Sequence, residues 1–254
     1  MDTYINADGF TVFTETFFRE RGHCCGNSCL HCPYGKLTEN TKNLSIKAVE
    51  MGNLPDFRIG LKAGKVSAFL RKMNVNTFHQ AARFVCLMPY KRNRDAGNPL
   101  NVLSEQRGTC SGKHQVLAQL ARENDCLDLQ LVIGIYKMNA QNTPQVAEVL
   151  VRYQLDCIPE AHTYLKLENT ELANAEIFDF TTLSANQNHR FLSDLLLEKT
   201  VLPEELMPLK IPFHKEFLAA WSFENGINMR YSLDELWGIR EACIAMLETQ
   251  IRFF

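Results

Sequence analysis

The sequence predicts an α+β protein in which a cysteine-bearing helix packs on a small antiparallel sheet, with further helices around it. Three observations lead to this class. Residues 110–123 place apolar side chains at helical spacing directly after a Gly-Thr-Cys-Ser-Gly loop. Three later runs, at 129–137, 161–167 and 176–183, have the β-forming residues or the alternating pattern of strands. After Asp179 the pattern is mostly helical again.

The composition is that of a globular protein with a sizeable core. The chain has 254 residues, 46% of them hydrophobic, which suffices for one large or two smaller domains. A formal net charge of −2 offers no electrostatic basis for binding nucleic acid. Apolar runs fall far short of the ~20 residues of a membrane-spanning helix, and the start of the chain lacks the pattern of a signal peptide. We therefore expect a cytoplasmic protein with no membrane and no nucleic-acid partner.

The first distinctive segment is rich in cysteine. The chain contains nine cysteines, and four of them lie close together at Cys24, Cys25, Cys29 and Cys32. The odd total and the absence of an export signal argue against a disulfide framework. Thiolates at this density favour zinc or an iron–sulfur cluster instead. We expect these four cysteines to be the ligands, in a module at residues 1–40.

The cysteine-rich segment has other possible interpretations. His23 or His31 could replace one of the adjacent cysteines, since neighbouring side chains tend to point apart. Cys29 and Cys32 could form a redox pair, or the cysteines could be buried thiols in a compact turn. Over residues 4–35 the segment resembles a small bacterial domain with a CCGxxCxxCPY signature, a resemblance that implies no particular role.

A polar junction at residues 36–55 leads into the main domain, expected at 41–254. Residues 57–73 have a helical pattern that two glycines weaken. The next helix is better marked, because Thr77 and Gln80 form a capping box ahead of its apolar stripe.

Cys110 is the central feature of the main domain, at the start of the following predicted helix. Unpaired N–H groups and the positive end of the helix dipole stabilise a thiolate there, and the thiolate is the nucleophilic form. Gly108 and Gly112 let the backbone turn tightly and keep the approach to the sulfur open. Cys110 is therefore a candidate nucleophile; a loop cysteine that caps a core helix is the alternative.

A cysteine nucleophile needs a base, and the base needs an orienting group. His162 lies in the second strand pattern. Asp179 lies in the third, where a carboxylate is unfavourable without a partner. His114 is an alternative base, ranked lower because it extends along the helix and away from a substrate over the N-terminus.

Together these motifs resemble the transglutaminase-like superfamily of papain-type thiol enzymes over residues 78–182. The resemblance rests on a helix-initiating GxC, a strand histidine followed two residues later by an aromatic residue, and Asp-Phe-Thr on the next strand. It implies that Cys110 is the nucleophile, His162 its base and Asp179 the orienting group. Two positions depart from the family pattern: Tyr164 stands where tryptophan is usual, and Asp-Phe-Thr stands for Asp-Pro-Thr.

The resemblance also implies a reaction. Cys110 would attack an amide or related carbonyl of a peptide, a protein or a small amide, and the acyl group would pass to water or to an amine. No organic cofactor is required. Gln106 is the expected side-chain donor to the oxyanion, and a surface-loop glutamine is the alternative. An insertion at residues 138–160 is expected to shape substrate access, with Glu160 and Tyr164 lining the pocket. An ordinary packing helix is the alternative for this insertion.

The alternative function is a catalytically inactive binding module with the same fold, whose cysteine-rich segment holds a structural zinc or iron–sulfur site. Beyond the third strand, the pattern predicts helices at residues 188–199 and 231–250, the second opened by a capping box of Ser232 and Glu235. Both are expected to be scaffold.

Overall fold

The chain forms two compact units, Met1–Val49 and Glu50–Phe254. We expected a boundary at residue 40, and this division falls at residue 49. The computed structural model describes residues 3–5, 11–21, 31, 51–168, 175–182 and 190–250.

The described part of the first unit is a strand pair followed by a helix. Strand β1 (Thr3–Ile5) pairs antiparallel with β2 (Thr11–Phe13), and helix α1 (Glu15–Arg21) follows directly. Phe18 is 2% exposed. The ring of Phe17 stacks on that of Phe13 with the centroids 4.3 Å apart. These aromatic contacts pack the helix onto the strand before it.

The expected metal ligands Cys24, Cys25, Cys29 and Cys32 lie outside the described residues. Of the two histidines proposed as substitutes, His31 is described, and its Nε2 lies 2.8 Å from the Tyr4 hydroxyl oxygen. Within the described ranges, no group of three or more histidine, cysteine or acidic side chains is placed to hold a metal ion. The zinc or iron–sulfur site stays a prediction.

The second unit is α+β, as the sequence predicts, with helices around an antiparallel sheet. Its helices are α2 (Lys65–Lys72), α3 (Phe78–Cys86), α4 (Leu100–Glu105), α5 (Cys110–Glu123), α6 (Ala147–Arg152), α7 (Leu206–Glu224) and α8 (Leu233–Gln250). Its strands are β3 (Leu129–Asn139), β4 (Cys157–Glu168), β5 (Ala175–Phe178) and β6 (Leu195–Val201). Short 3₁₀ turns occur at Pro144–Val146, Arg190–Asp194 and Ile227–Met229.

Both predicted capping boxes are confirmed. At the start of α3, the Gln80 N–H donates to Thr77 Oγ1 over 3.3 Å, and the Thr77 N–H donates back to Gln80 Oε1 over 3.3 Å. At the start of α8, the Ser232 N–H donates to Glu235 Oε2 over 2.7 Å, and the Glu235 N–H donates to Ser232 Oγ over 3.3 Å. Each box satisfies N–H groups that the helix itself leaves unpaired.

The sheet has the strand order β5-β4-β3-β6, and its neighbouring strands are antiparallel. In the register of the two central strands, Gly134 lies opposite His162. A β-carbon on Gly134 would lie 2.7 Å from the hydroxyl oxygen of Tyr164. Glycine is therefore needed in the middle of β3 because the buried tyrosine ring occupies the space of a side chain.

Helix α5 packs on β3 and β4, and its Val116, Leu117 and Leu120 are all fully buried. Burial of side chains of this size contributes about 1.5–3 kcal/mol each to folding. This packing holds the first turn of α5 against β4, where the candidate residues meet. No helix in the described ranges combines the length and the apolar character needed to cross a membrane.

The predicted helix at 188–199 is wrong. The described part of this stretch is a 3₁₀ turn, Arg190–Asp194, followed by β6, which pairs with β3 from Val201 to Leu195. The run Leu-Leu-Leu-Glu-Lys-Thr-Val has no strong preference between helix and strand, so the hydrogen bonds offered by β3 decide its conformation.

The predicted helix at 57–73 exists only in its second half, as α2. Arg58 instead forms a β-bridge with Thr77. At the start of α2, the N–H groups of Val66 and Ser67 donate to the Glu123 carboxylate over 3.1 and 2.7 Å. A carboxylate from the end of α5 thus caps α2, and it determines where that helix begins.

Candidate active site

Cys110 is the first residue of α5, as the Gly-Thr-Cys-Ser-Gly pattern predicts, and the residue is 7% exposed. The flanking glycines make room for α4. A β-carbon on Gly112 would lie 2.9 Å from Val102 Cγ2, and one on Gly108 would lie 3.2 Å from Val102 Cγ1. Their role in the structure is therefore to let α4 pack against the start of α5.

His162 and Asp179 form a direct hydrogen bond. His162 Nε2 lies 2.7 Å from Asp179 Oδ2, and the aspartate is the first residue after β5. The other carboxylate oxygen, Oδ1, accepts the Thr181 N–H over 2.9 Å. Both oxygens are held, and the side chain of Asp179 is 2% exposed. The aspartate therefore fixes the orientation of the imidazole ring.

The thiol of Cys110 lies near enough to the same imidazole for the charge of each group to shift the pKa of the other. Since Nε2 of His162 already pairs with Asp179, Nδ1 is the nitrogen left for the sulfur. The structure thus brings Cys110, His162 and Asp179 together in the order that a thiol nucleophile, its base and an orienting carboxylate require.

The electrostatics of this group favour an ion pair. Burial would raise the pKa of Cys110, but the charges of Lys210 and then His162 lower it to about 6. Burial would lower the pKa of His162, but the charges of Asp179 and Cys110 raise it to about 10. The thiolate and the imidazolium therefore coexist at neutral pH.

The rate at which iodoacetamide alkylates Cys110 should change with pH as the thiol ionises. Because only the thiolate reacts, the rate should rise as pH passes upward through about 6 and then stay level until His162 loses its proton near pH 10. Burial raises the pKa of Cys126 above its ordinary value, so this partly exposed thiol is an internal control. Mass spectrometry at pH 7 should show Cys110 modified about tenfold faster than Cys126. A Cys110 rate that still climbs between pH 8 and 9 would contradict the ion pair.

Lys210 is a site residue that sequence reasoning missed. It extends from α7, and its Nζ lies 3.7 Å from Cys110 Sγ. The ammonium also donates to Ser111 Oγ over 2.7 Å and to Thr163 Oγ1 over 3.2 Å. Lys210 lies 100 residues after Cys110 in a helix that no motif marks, so no local signal could have found it.

His114, the alternative base, joins two backbone segments of the site. Its Nδ1 lies 2.8 Å from the Cys110 carbonyl oxygen, and its Nε2 accepts the Phe180 N–H over 2.7 Å. Burial lowers the pKa of His114 to about 4, which keeps the ring neutral. With Nε2 accepting, Nδ1 must carry the proton and donate it to the carbonyl. His114 therefore ties the first turn of α5 to the residue after Asp179.

Lys113 is a second buried cation near the site. Its Nζ donates to the carbonyl oxygens of Met88 over 2.6 Å and Thr181 over 2.7 Å, and more weakly to that of Cys86 over 3.4 Å. Burial lowers the pKa of Lys113 to about 8. The lysine links the end of α3 to the segment that carries Asp179.

Glu160, expected to line a substrate pocket, forms a buried ion pair. Arg240 of α8 donates to both of its carboxylate oxygens, with Nε 2.6 Å from Oε2 and Nη2 2.5 Å from Oε1. Arg240 also donates to Glu241 over 2.6 Å, and Glu241 accepts from Arg92 over 2.7 Å. Burial opposes ionisation of Glu160, but Arg240 holds its pKa below the usual range.

Tyr164, the other expected pocket residue, is fully buried beside the imidazole. Its hydroxyl donates to Glu198 Oε1 over 2.5 Å, and its ring lies 6.1 Å from that of His162 between centroids. Phe191 packs on both rings, 4.9 Å from His162 and 5.3 Å from Tyr164. These aromatic contacts shield the imidazole from water.

Two residues upstream of Cys110 complete the surroundings. Gln106, the expected oxyanion donor, ends α4 with a left-handed backbone at φ 49° and is partly exposed. Tyr90 was not predicted. It is held beside the start of α5, because the Gly108 N–H donates to the Pro89 carbonyl oxygen over 3.1 Å. Burial and then the charge of Cys110 raise the pKa of Tyr90 well above its usual value, so its hydroxyl is neutral.

Comparison with known protein families bears on the beginning of the chain. Residues 1–38 match a family described as a family of unknown function (DUF5522). That match includes the cysteine-rich segment and ends well before Cys110. No solved structure matches the chain.

Proposed function

We propose that this protein is a thiol acyl-transfer enzyme in which Cys110 is the nucleophile, His162 transfers the proton and Asp179 orients the imidazole. The observation that carries the proposal is the 2.7 Å bond from His162 to Asp179, together with a thiol at a helix N-terminus that is near enough to the same ring for their charges to interact. The lowered pKa of Cys110 and the raised pKa of His162 support the proposal further.

We assign the second unit to the transglutaminase-like fold. Support comes from the order of elements: a helix that begins at the cysteine, a strand that carries the histidine, and an aspartate at the end of the next strand. The three side chains come from α5, β4 and the residue after β5, so they meet only through the packing of α5 on the sheet.

The reaction that we propose uses these groups in sequence. The Cys110 thiolate attacks the carbonyl carbon of an amide or related acyl donor, which forms a C–S bond and a negatively charged tetrahedral oxygen. Collapse of this intermediate breaks the bond to the leaving group, which takes a proton from His162. Water or an amine then attacks the thioester while His162 takes its proton, and Cys110 leaves as the thiolate. Peptides, proteins and small amides all fit this chemistry.

Acylation with p-nitrophenyl acetate tests the proposal without knowledge of the natural substrate. Wild-type protein should release a burst of p-nitrophenolate equal to the protein concentration and carry one acetyl group on Cys110 by mass spectrometry. Cys110→Ala should lose both signals, and Cys126→Ala should keep both. Acetylation confined to lysines or to other cysteines would refute the proposal. If added glycine ethyl ester speeds the loss of the acetyl group and becomes acetylated, the acceptor is an amine rather than water.

A catalytically inactive binding module of the same fold is the second candidate. The observation that favours it is the burial of Cys110, a residue that is only 7% exposed. In that case wild-type protein would give no burst, and the alkylation rates of Cys110 and Cys126 at pH 7 would be similar.

For the first unit we propose a structural zinc or iron–sulfur site at Cys24, Cys25, Cys29 and Cys32, supported by their spacing. Protein purified under reducing conditions should contain zinc or iron in a fixed ratio to the chain, measured by plasma mass spectrometry. Cys29→Ser should lose most of the metal, since removing one ligand leaves an open coordination position. Cys157→Ser, a thiol of the second unit, is the control that should retain it. A metal-free wild-type preparation would rule the site out.

A further inference from the structure

We propose that Lys210 is a catalytic residue of the acyl transfer, whose ammonium group binds the negative charge first on the sulfur of Cys110 and then on the tetrahedral oxygen. This inference rests on the proposed function and adds to it a residue outside the Cys-His-Asp group. The inference makes Lys210, in α7, the donor to the oxyanion, a role that the sequence predicts for Gln106.

The first support is the way in which the ammonium is held. Its three N–H groups face three acceptors, with Nζ 2.7 Å from Ser111 Oγ, 3.2 Å from Thr163 Oγ1 and 3.7 Å from Cys110 Sγ. Ser111 follows the nucleophile and Thr163 follows His162, so the two hydroxyls belong to the two elements that carry the reacting pair. They fix the position of the charge without neutralising it.

The second support is the balance of charge around Lys210. None of the ion pairs formed between described residues includes this lysine. The nearby carboxylate of Glu160 is held by two bonds from Arg240. His214, which also lies near Glu160, is kept largely neutral because burial lowers its pKa. Among the described residues, the Cys110 thiolate is therefore the anion that the ammonium contacts.

The third support is where the charge moves during the reaction. When the sulfur lone pair forms the C–S bond, the carbonyl π pair moves onto oxygen, so the negative charge leaves Sγ for an atom two bonds away. The N–H of Lys210 that faces Sγ then no longer has an anionic sulfur as its acceptor. It lies next to the tetrahedral oxygen, which now carries the negative charge. His162 cannot do the same in full, because it gives up its proton, and with it its charge, to the leaving group.

Two reactions of Cys110 separate the roles of the lysine. Alkylation by iodoacetamide needs the thiolate but forms no oxyanion, whereas acylation by p-nitrophenyl acetate needs both. Each rate should be measured at rising pH until it becomes constant, where the thiol is fully ionised in every variant. The variants are Lys210→Met, which removes the charge, and Lys210→Arg, which keeps it. Lys215→Met, on the same helix and over the Trp237 ring, is the matched control.

In Lys210→Met we expect the pH midpoint of alkylation to rise while its limiting rate is unchanged or slightly higher, since a more basic thiolate is more nucleophilic. The limiting rate of acylation should fall about 100-fold, the usual loss when one oxyanion donor is removed. Lys210→Arg should recover most of that rate, and Lys215→Met should match the wild type in both reactions.

If Lys210→Met lowers the limiting rate of acylation no more than that of alkylation, the inference is overturned, because the lysine would then act on the thiol alone. If wild-type protein is not acylated on Cys110, the inference and the proposed function fail together. If wild-type and Lys210→Met proteins are acylated equally fast, only the inference fails. Lys210→Gln keeps hydrogen-bond donors without the charge, and it provides the same comparison if circular dichroism shows that Lys210→Met is not folded.

Discussion

An acetyl group on Cys110 should be released about 10³–10⁴-fold more slowly from Asp179→Asn than from the wild-type protein. Release requires His162 to take a proton from the attacking water or amine. Asp179 holds the ring through the 2.7 Å bond to Nε2, and it stabilises the imidazolium that forms. Asparagine preserves the shape of the side chain but not its charge, so both the basicity and the orientation of the imidazole are lost.

The measurement is the decay of acetylated Cys110, followed by intact mass spectrometry after excess p-nitrophenyl acetate is removed. This single step does not depend on the natural substrate. Asp128→Asn changes an exposed aspartate of the same unit and should leave the decay unchanged. A loss of less than about tenfold in Asp179→Asn would mean that His162 acts without its carboxylate partner.

Alkylation should respond much less than deacylation to the same substitution. Among the groups that lower the pKa of Cys110, the charge of Lys210 acts more strongly than that of His162. The thiol of Asp179→Asn should therefore stay reactive near neutral pH even when the imidazole is no longer charged. Equal losses in the two reactions would indicate that the whole site, rather than the base alone, had been disrupted.

Removal of Arg240 should destabilise the second unit by about 3–5 kcal/mol, since Arg240→Ala leaves the carboxylate of Glu160 buried without a partner. The side chains of Arg240 and Glu160 are 11% and 8% exposed, so water cannot replace the two lost hydrogen bonds. Glu160 also lies near enough to Cys110 for its charge to oppose ionisation of the thiol. An unpaired carboxylate there should therefore raise the pKa of Cys110 as well.

Urea denaturation at pH 7 measures this effect. Arg152→Ala is the matched control, because its pair with Glu148 is exposed and should contribute less than about 1 kcal/mol. The double variant Glu160→Gln, Arg240→Met removes both charges and should recover a large part of the lost stability. If the double variant is no more stable than Arg240→Ala, packing of the arginine rather than its charge is what stabilises the unit.

Local sequence patterns predicted the parts of the fold that depend on short-range interactions. The capping boxes at Thr77 and Ser232 are present with both of their hydrogen bonds, and α5 begins at Cys110. Caps and turns of this kind depend on atoms within four residues of each other along the chain, so they can be read from a single window of sequence.

Local patterns failed where a distant partner decides the conformation. Residues 195–201 form β6 because β3 offers them hydrogen bonds. Helix α2 begins at residue 65 because Glu123, more than fifty residues later, caps it. In both cases the local preference between conformations is small, and the energy of the tertiary contact exceeds it.

The sequence by itself determined the α+β class of the second unit, the helix that begins at Cys110 and the order of Cys110, His162 and Asp179 along the chain. Only the tertiary structure decided that His162 bonds to Asp179, that Arg240 pairs with Glu160 over 80 residues, and that Lys210 reaches Cys110 over 100. The physical reason is the range of the forces. Helix caps and strand preferences act between neighbours in sequence, whereas a buried charge is stabilised by whichever opposite charge the packing of distant helices brings to it.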